Sequence, residues 1–230
     1  MKTAFFDLDN TLIKGSSLFY LTKSLLRKKL ITKREMARFV AAQIKFIRSR
    51  TEDQYFKDYL ISKSLSLIKN RSVEELAELL NNEILTKLNQ NIYPIMRERV
   101  LQHLEAGHST WIITASPVEI ASLVAKQLNM SGALATRAEI QNGRYTGQLH
   151  GQVLHGAMKA KALMKFSEKF SINLDEAFGY SDSINDLPLL CAVGNPSVVN
   201  PNYELLQIAH KNQWAVIQAN ANKNYLAPAA

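Results

Sequence analysis

Apolar positions follow two different rhythms along this chain. Near the N-terminus Ala4, Phe5 and Phe6 form a short unbroken run that stops at Asp7, predicting a buried strand over about Thr3 to Phe6. From about Gly15 to Leu88 the spacing is helical instead. Thr32 and Glu35 have capping-box spacing, and Met36, Phe39, Val40, Ile44 and Ile47 recur behind them at helical intervals. Arg34, Arg38, Lys45 and Arg48 fall together on the opposite face. Ser72 and Glu75 repeat the capping box, followed by Val73, Leu76, Leu79, Leu80 and Ile84 on one side of a second helix. No strand is expected in this stretch.

Beyond it strands and helices alternate. Pro94 to Leu104 reads as a helix that Gly107 ends, and Thr110 to Thr114 as a strand of the kind buried in a parallel sheet. Ser116, Pro117 and Glu119 supply the N-cap, first-turn proline and capping acid expected of a helix running to about Leu128. Ala133 to Leu149 holds an Asn142-Gly143 hairpin turn. A helix containing Leu163 and Phe166 is expected from about Ala157, a strand over Ala177 to Tyr180, and a last short strand over Ala215 to Gln218. The sum is an α/β parallel sheet with a helical insertion after its first strand, dividing the chain into 1–14 with 89–230 and an inserted 15–88.

Composition narrows the class. The 230 residues are 47% hydrophobic and 21% charged, with 9 Gly and 6 Pro, which excludes disordered, collagenous and low-complexity chains. The single cysteine, Cys191, rules out an internal disulfide framework and reads as a small core residue beside Leu190 and Ala192. No apolar run approaches the ~18 residues of a spanning helix, and the start is too short and acidic for a signal peptide, so a cytoplasmic location is expected. The net charge of +8 is unevenly placed. Thr11 to Ser72 carries 15 basic and four acidic residues, leaving the remainder slightly acidic. This basic stretch fits a solvated face, attraction of anionic substrates, or contact with an anionic membrane surface. It shows no nucleic-acid platform, and no nucleic-acid partner is expected.

In an open parallel sheet, ligands bind at the carboxyl ends of the strands. Three predicted strands end in reaction-capable groups: Asp7 with Asp9, Thr114, and Asp182 with Asp186 four residues on. Carboxylates converging on one crevice require a cation among them. Oxygen ligands without paired His or Cys favour Mg²⁺, which keeps waters and a substrate phosphate in its shell. Backbone N–H groups near Ala115 and Ser116, the Thr114 hydroxyl and a lysine between 157 and 165 suit the phosphoryl oxygens. Asp7 can then act as nucleophile, and Asp9 can protonate the leaving group before activating water.

These residues carry a resemblance. Asp7-Leu8-Asp9-Asn10-Thr11, Ile113-Thr114-Ala115-Ser116, a lysine, and Gly179-Tyr180-Ser181-Asp182-Ser183-Ile184-Asn185-Asp186 occur in the order of the four motifs of the haloacid dehalogenase-like hydrolases. The hairpin around Asn142-Gly143, the run Val198-Val199-Asn200-Pro201 and the position of the insertion resemble the phosphoserine-phosphatase-like branch. The resemblance implies a Rossmann-like core with a small helical cap, and a Mg²⁺-dependent phosphatase acting on a small phosphorylated metabolite. Asp7 would be the nucleophile and Asp9 the general acid/base. Asp7, the Asp9 backbone carbonyl and Asp182 would hold the metal. Thr114 and a lysine would bind the phosphoryl group, and Asp186 would support the metal site or orient the lysine. Lys159, Lys161 and Lys165 all lie near, and family spacing to Gly156 and Leu163 selects Lys159.

The chain departs from phosphoserine phosphatases in two places. Their carboxylate after the first motif is replaced by Gly15-Ser16-Ser17, and Thr51 to Asn70 holds no arginine for a substrate carboxylate. Histidinol phosphate, a lysophospholipid-type phosphate or phosphoryl transfer to an alcohol are therefore alternatives. An anion-binding protein on the same fold is the non-enzymatic one.

Overall fold

The computed structural model describes residues 2–38, 40–41 and 65–219. Phe39, Ile44, Ile47, Lys45 and Arg48 lie outside the described residues, so the apolar stripe and basic face expected there are represented by Met36, Val40, Arg34 and Arg38. Both of these arginines are exposed.

Six parallel strands form the sheet: β1 (Thr3–Phe6), β2 (Ser109–Pro117), β3 (Gly132–Thr136), β6 (Phe178–Ser181), β7 (Asn195–Val199) and β8 (Ala215–Ile217). Their order is β3-β2-β1-β6-β7-β8. A separate antiparallel hairpin pairs β4 (Ala138–Gln141) with β5 (Arg144–Leu149) across Asn142-Gly143. β1 is buried on both faces because its side chains alternate between two cores. Ala4 and Phe6 join Ile112, Met96, Val100 and Ile120 on one face. Phe5 joins Ile113, Leu163, Leu189 and Leu205 on the other.

Around the sheet lie α1 (Ser17–Arg27), α2 (Val73–Leu79), α3 (Leu85–Gln90), α4 (Pro94–Glu105), α5 (Val118–Gln127), α6 (Ala157–Phe170), α7 (Leu187–Leu190) and α8 (Tyr203–Lys211). Both expected capping boxes form. Glu35 N–H donates to Thr32 Oγ1 at 3.2 Å while Thr32 N–H donates to Glu35 Oε2 at 2.7 Å, and Ser72 and Glu75 do the same. Apolar side chains of the insertion, among them Leu21, Leu25, Leu76 and Leu79, are continuous with the first core. None of the described helices is long and apolar enough to cross a membrane.

Several expectations are corrected. The strand β7 is absent from the pattern because Gly194, Asn195 and Pro196 signal a turn at its start. Pro196 is tolerated as the second strand residue, and Ser197, Val198 and Val199 are buried. The stretch from Ala133, expected to serve the hairpin alone, also supplies the edge strand β3. The helix after Ser72 is interrupted at Leu80–Ile84 by a π-helical turn, which lets Leu80 reach a cavity while Ile84 and Leu88 stay fully buried. Ser116 does not cap a helix: β2 runs through Pro117, and α5 starts at Val118 without a side-chain cap. Cys191 is exposed, since it closes the short α7 after Leu189 and Leu190 have turned inward.

Candidate active site

The sheet reverses direction of growth at β1, with β2 on one side and β6 on the other, so the crevice opens at the carboxyl ends of β1 and β6. Asp7 follows β1 directly, and its N–H continues the ladder to the Tyr180 carbonyl at 2.9 Å. Asp182 follows β6. Between Asp7 and α1 the chain turns tightly, with Asn10 at φ 57° and its side chain accepting from Gly15 N–H at 3.0 Å. That turn carries Asp9 and Thr11 back over the strand ends.

Lys159 is buried in the first turns of α6, where its Nζ donates to Asp7 Oδ1 and to Asp186 Oδ2, both at 2.6 Å. Gly156, at φ +54°, makes the turn into that helix, a conformation that side-chain-bearing residues rarely adopt. Lys161 and Lys165 sit on the exposed side of α6, so burial selects Lys159 from the three. Asp186 is 2% exposed, and Ser181 Oγ donates to the same Oδ2 at 2.7 Å. It occupies a cap position before α7 but makes no capping bond; its carboxylate serves the lysine instead.

Asp9 is held apart from this group. Its Oδ1 accepts from Ser17 N–H at 2.9 Å and its Oδ2 from Ser116 Oγ at 3.1 Å. Ser116 N–H in turn donates to Thr114 Oγ1 at 3.2 Å, and Ser17 Oγ lies 2.7 Å from Ser116 Oγ. Thr11, fully buried, donates to Asp182 Oδ1 at 3.3 Å and approaches Asp7 Oδ2 at 3.5 Å. The sequence singled out Asp7, Asp9, Thr114, Lys159, Asp182 and Asp186, and all six line one cavity of about 320 Å³. It gave no place in the site to the side chains of Thr11, Ser17 or Ser181, and read that of Ser116 as a helix cap. Hydroxyls are common everywhere in a chain, and only their positions beside carboxylates distinguish these four.

The electrostatics follow from burial and crowding. Burial pushes the Asp7 carboxyl up to about 8; Lys159 pulls it back, while Asp186 and Asp182 push it further up. Asp182 rises to about 6 for the same reasons, burial first. Asp9 is also raised by burial, against the opposing pull of its bonds to Ser17 and Ser116. Burial alone would depress Lys159, but Asp186 and Asp7 outweigh it and hold the ammonium above its ordinary range. One buried cation thus faces two buried carboxylates, Asp7 and Asp186, with the half-buried Asp9 and Asp182 beside them.

Among the described residues no three His, Cys, Asp or Glu side chains are gathered as a metal-binding group. Asp7 and Asp182 nevertheless share the Thr11 hydroxyl, and burial together with the neighbouring carboxylates raises both against the pull of Lys159. Two carboxylates and a backbone carbonyl fit Mg²⁺, which needs few protein ligands because it keeps its waters.

Comparison with known proteins gives the family. Residues 4–190 match the haloacid dehalogenase-like hydrolase family. A phosphoserine phosphatase of Mycobacterium tuberculosis is 38% identical over 214 residues, 93% of this chain and 69% of that protein. A histidinol-phosphatase of Neisseria meningitidis is 31% identical over 218 residues, 93% of this chain and 97% of that one. A solved structure of a Bordetella pertussis protein of unknown function superposes with a TM-score of 0.84 at 26% identity, covering 95% of this chain and 99% of its own. The chain belongs to the haloacid dehalogenase-like hydrolases. Within them it is a phosphoric monoester hydrolase of the phosphoserine-phosphatase-like branch.

Proposed function

We propose that this chain is a Mg²⁺-dependent phosphatase that hydrolyses a small organic phosphomonoester through a phosphorylated Asp7. The observation that carries the reading is the contrast between its two neighbouring carboxylates. Asp7 is anchored through Oδ1 on Lys159, leaving Oδ2 with only the long contact to Thr11. Asp9 is half-buried among neutral donors, Ser17 N–H and Ser116 Oγ. Two carboxyl groups in unlike surroundings can take unlike roles.

In the first step Asp7 Oδ2 attacks phosphorus, the ester P–O bond breaks, and Asp9 gives its proton to the departing alkoxide. In the second step Asp9, now ionised, takes a proton from water as that water attacks phosphorus. The Asp7–phosphorus bond breaks and inorganic phosphate leaves. Thr114 and Lys159 would bind the phosphoryl oxygens, with Asp186 and Ser181 holding the lysine in place. Asp7, Asp182 and the Asp9 carbonyl would hold Mg²⁺, whose bound charge offsets the carboxylates and the phosphate. The inserted 15–88 would act as a cap, since Ser16 and six apolar residues of it line the cavity.

The test is phosphate release from a panel of phosphomonoesters, including phosphoserine and histidinol phosphate, with Mg²⁺ and with chelator. Release is expected only with the metal. Asp7→Asn is expected to lose at least about 10⁴-fold in kcat, as removal of a nucleophile does. Ordinary turnover by that variant would overturn the covalent route.

A further inference from the structure

The proposed phosphatase chemistry uses only part of the cavity. On the insertion side its wall is made by Leu18, Leu21, Leu65, Ile68, Leu76 and Leu80. Ile120 and Ala138 extend this apolar surface on the sheet side. Among the described residues Lys159 supplies the only Lys or Arg side chain in the lining, and it is committed to Asp7 and Asp186. The lining carboxylate away from the reacting cluster, Glu119, adds negative charge, with the Tyr145 hydroxyl donating to its Oε1 at 3.0 Å.

We infer that the substrate is the phosphate monoester of an apolar alcohol, whose hydrocarbon body lies against the leucine and isoleucine wall beside Asp7. The inference rests on the phosphatase reading and deepens it. The apolar surface lines the same cavity as the cluster that would receive the phosphate, so a hydrocarbon body can lie against it while its phosphate meets Asp7. A carboxylate on that body would be stripped of water against aliphatic side chains; among the described lining residues the one Lys or Arg, Lys159, is already paired with Asp7 and Asp186, and Glu119 would repel it. A hydrocarbon body replaces water on the same surface at a gain for each methylene.

The experiment is phosphate release from unbranched alkyl phosphates, ethyl through dodecyl, beside phosphoserine, each with Mg²⁺. In the wild-type chain kcat/KM is expected to rise about fourfold per added methylene until the wall is covered. Phosphoserine is expected at least about tenfold below butyl phosphate. A rise that stops at a short chain marks a soluble ester, and one that continues marks a lipid phosphate; both support the inference. A flat or falling series, or preference for phosphoserine over butyl phosphate, overturns it and assigns the apolar wall to packing alone. Leu18→Gln, at a half-buried position in the first turn of α1, is expected to reduce the gain per methylene. An unchanged gain in that variant, with its thermal unfolding intact, counts against the wall. Absence of release from every ester would instead defeat the phosphatase reading itself, so the two failures are distinguishable.

Discussion

The two walls of the cavity are built on opposite principles. On the sheet side, Asp7 and Asp182 follow the adjacent strands β1 and β6 directly and Thr114 lies in β2, with Ser116 N–H donating to Thr114 and Thr11 donating to Asp182. Their positions are set by backbone ladders within the sheet. On the insertion side the wall is aliphatic and comes from α1, α2, the helical residues 65–68 and a π-helical turn. Its positions are set by non-directional packing. Reaction geometry tolerates little displacement, whereas a shape-filling wall admits hydrophobic exchange at modest cost. In the proposed reaction, chemistry would sit on the polar wall and selection of the ester body would fall to the aliphatic one.

The sharpest way to break this contrast is Lys159→Met. Phosphate release is expected to fall about 10³-fold in kcat/KM, because the preorganised charge between Asp7 and Asp186 is lost. Near-normal steady-state kinetics in that variant would show that the polar wall does not depend on its buried cation. Leu76→Ala tests the other wall. Leu76 is 3% exposed, and truncation is expected to cost about 2 kcal/mol in urea unfolding, the low end for a buried leucine because the site borders a cavity.

A smaller effect is expected from Ser116→Ala, which removes one of the donors to Asp9. A fall of about tenfold in kcat with KM nearly unchanged is expected. The pH–rate profile should also move upward, since the lost bond favoured the ionised carboxylate. A change in KM alone would make Ser116 part of the binding wall rather than a positioning residue.

The smallest effect concerns the layer under the strand ends. His103 bonds to the Tyr180 hydroxyl and to His108, each at 2.8 Å, and packs edge-on to Phe6. Burial, then His108 and Arg99, lowers its pKa from 6.5 to about 4. The unfolded chain therefore binds the proton more readily between those values. Stability is complete above about pH 6.5 and is lost as the pH falls toward 4. The midpoint of thermal unfolding should fall across that window, and His103→Gln should flatten the slope.

Much of this was legible in the sequence, for reasons that differ by element. The β1 run and the Thr110–Thr114 core of β2 were readable because a strand buried on both faces is apolar throughout. The two capping boxes were readable because their bonds span three residues. Ser116 misled because the same residues that cap a helix locally can reach a carboxylate from 107 positions away in the chain. The strand β7 was hidden by turn-forming residues, which its neighbours β6 and β8 override by pairing on both sides.

By itself the sequence placed most strands and helices in order and singled out five polar groups at predicted strand ends together with a lysine between 157 and 165. These depend on local periodicity and residue chemistry, which a linear chain carries explicitly. The tertiary structure decided that Lys159 and not Lys161 meets Asp7, because helix rotation relative to the sheet sets which lysine is buried. It decided that Thr11, Ser17, Ser116 and Ser181 tune the carboxylates, and that the leucines of a distant insertion face the reacting group. Hydrogen bonds across roughly a hundred residues and the shape of a cavity arise from packing between elements. No stretch of sequence holds that information until the elements have met.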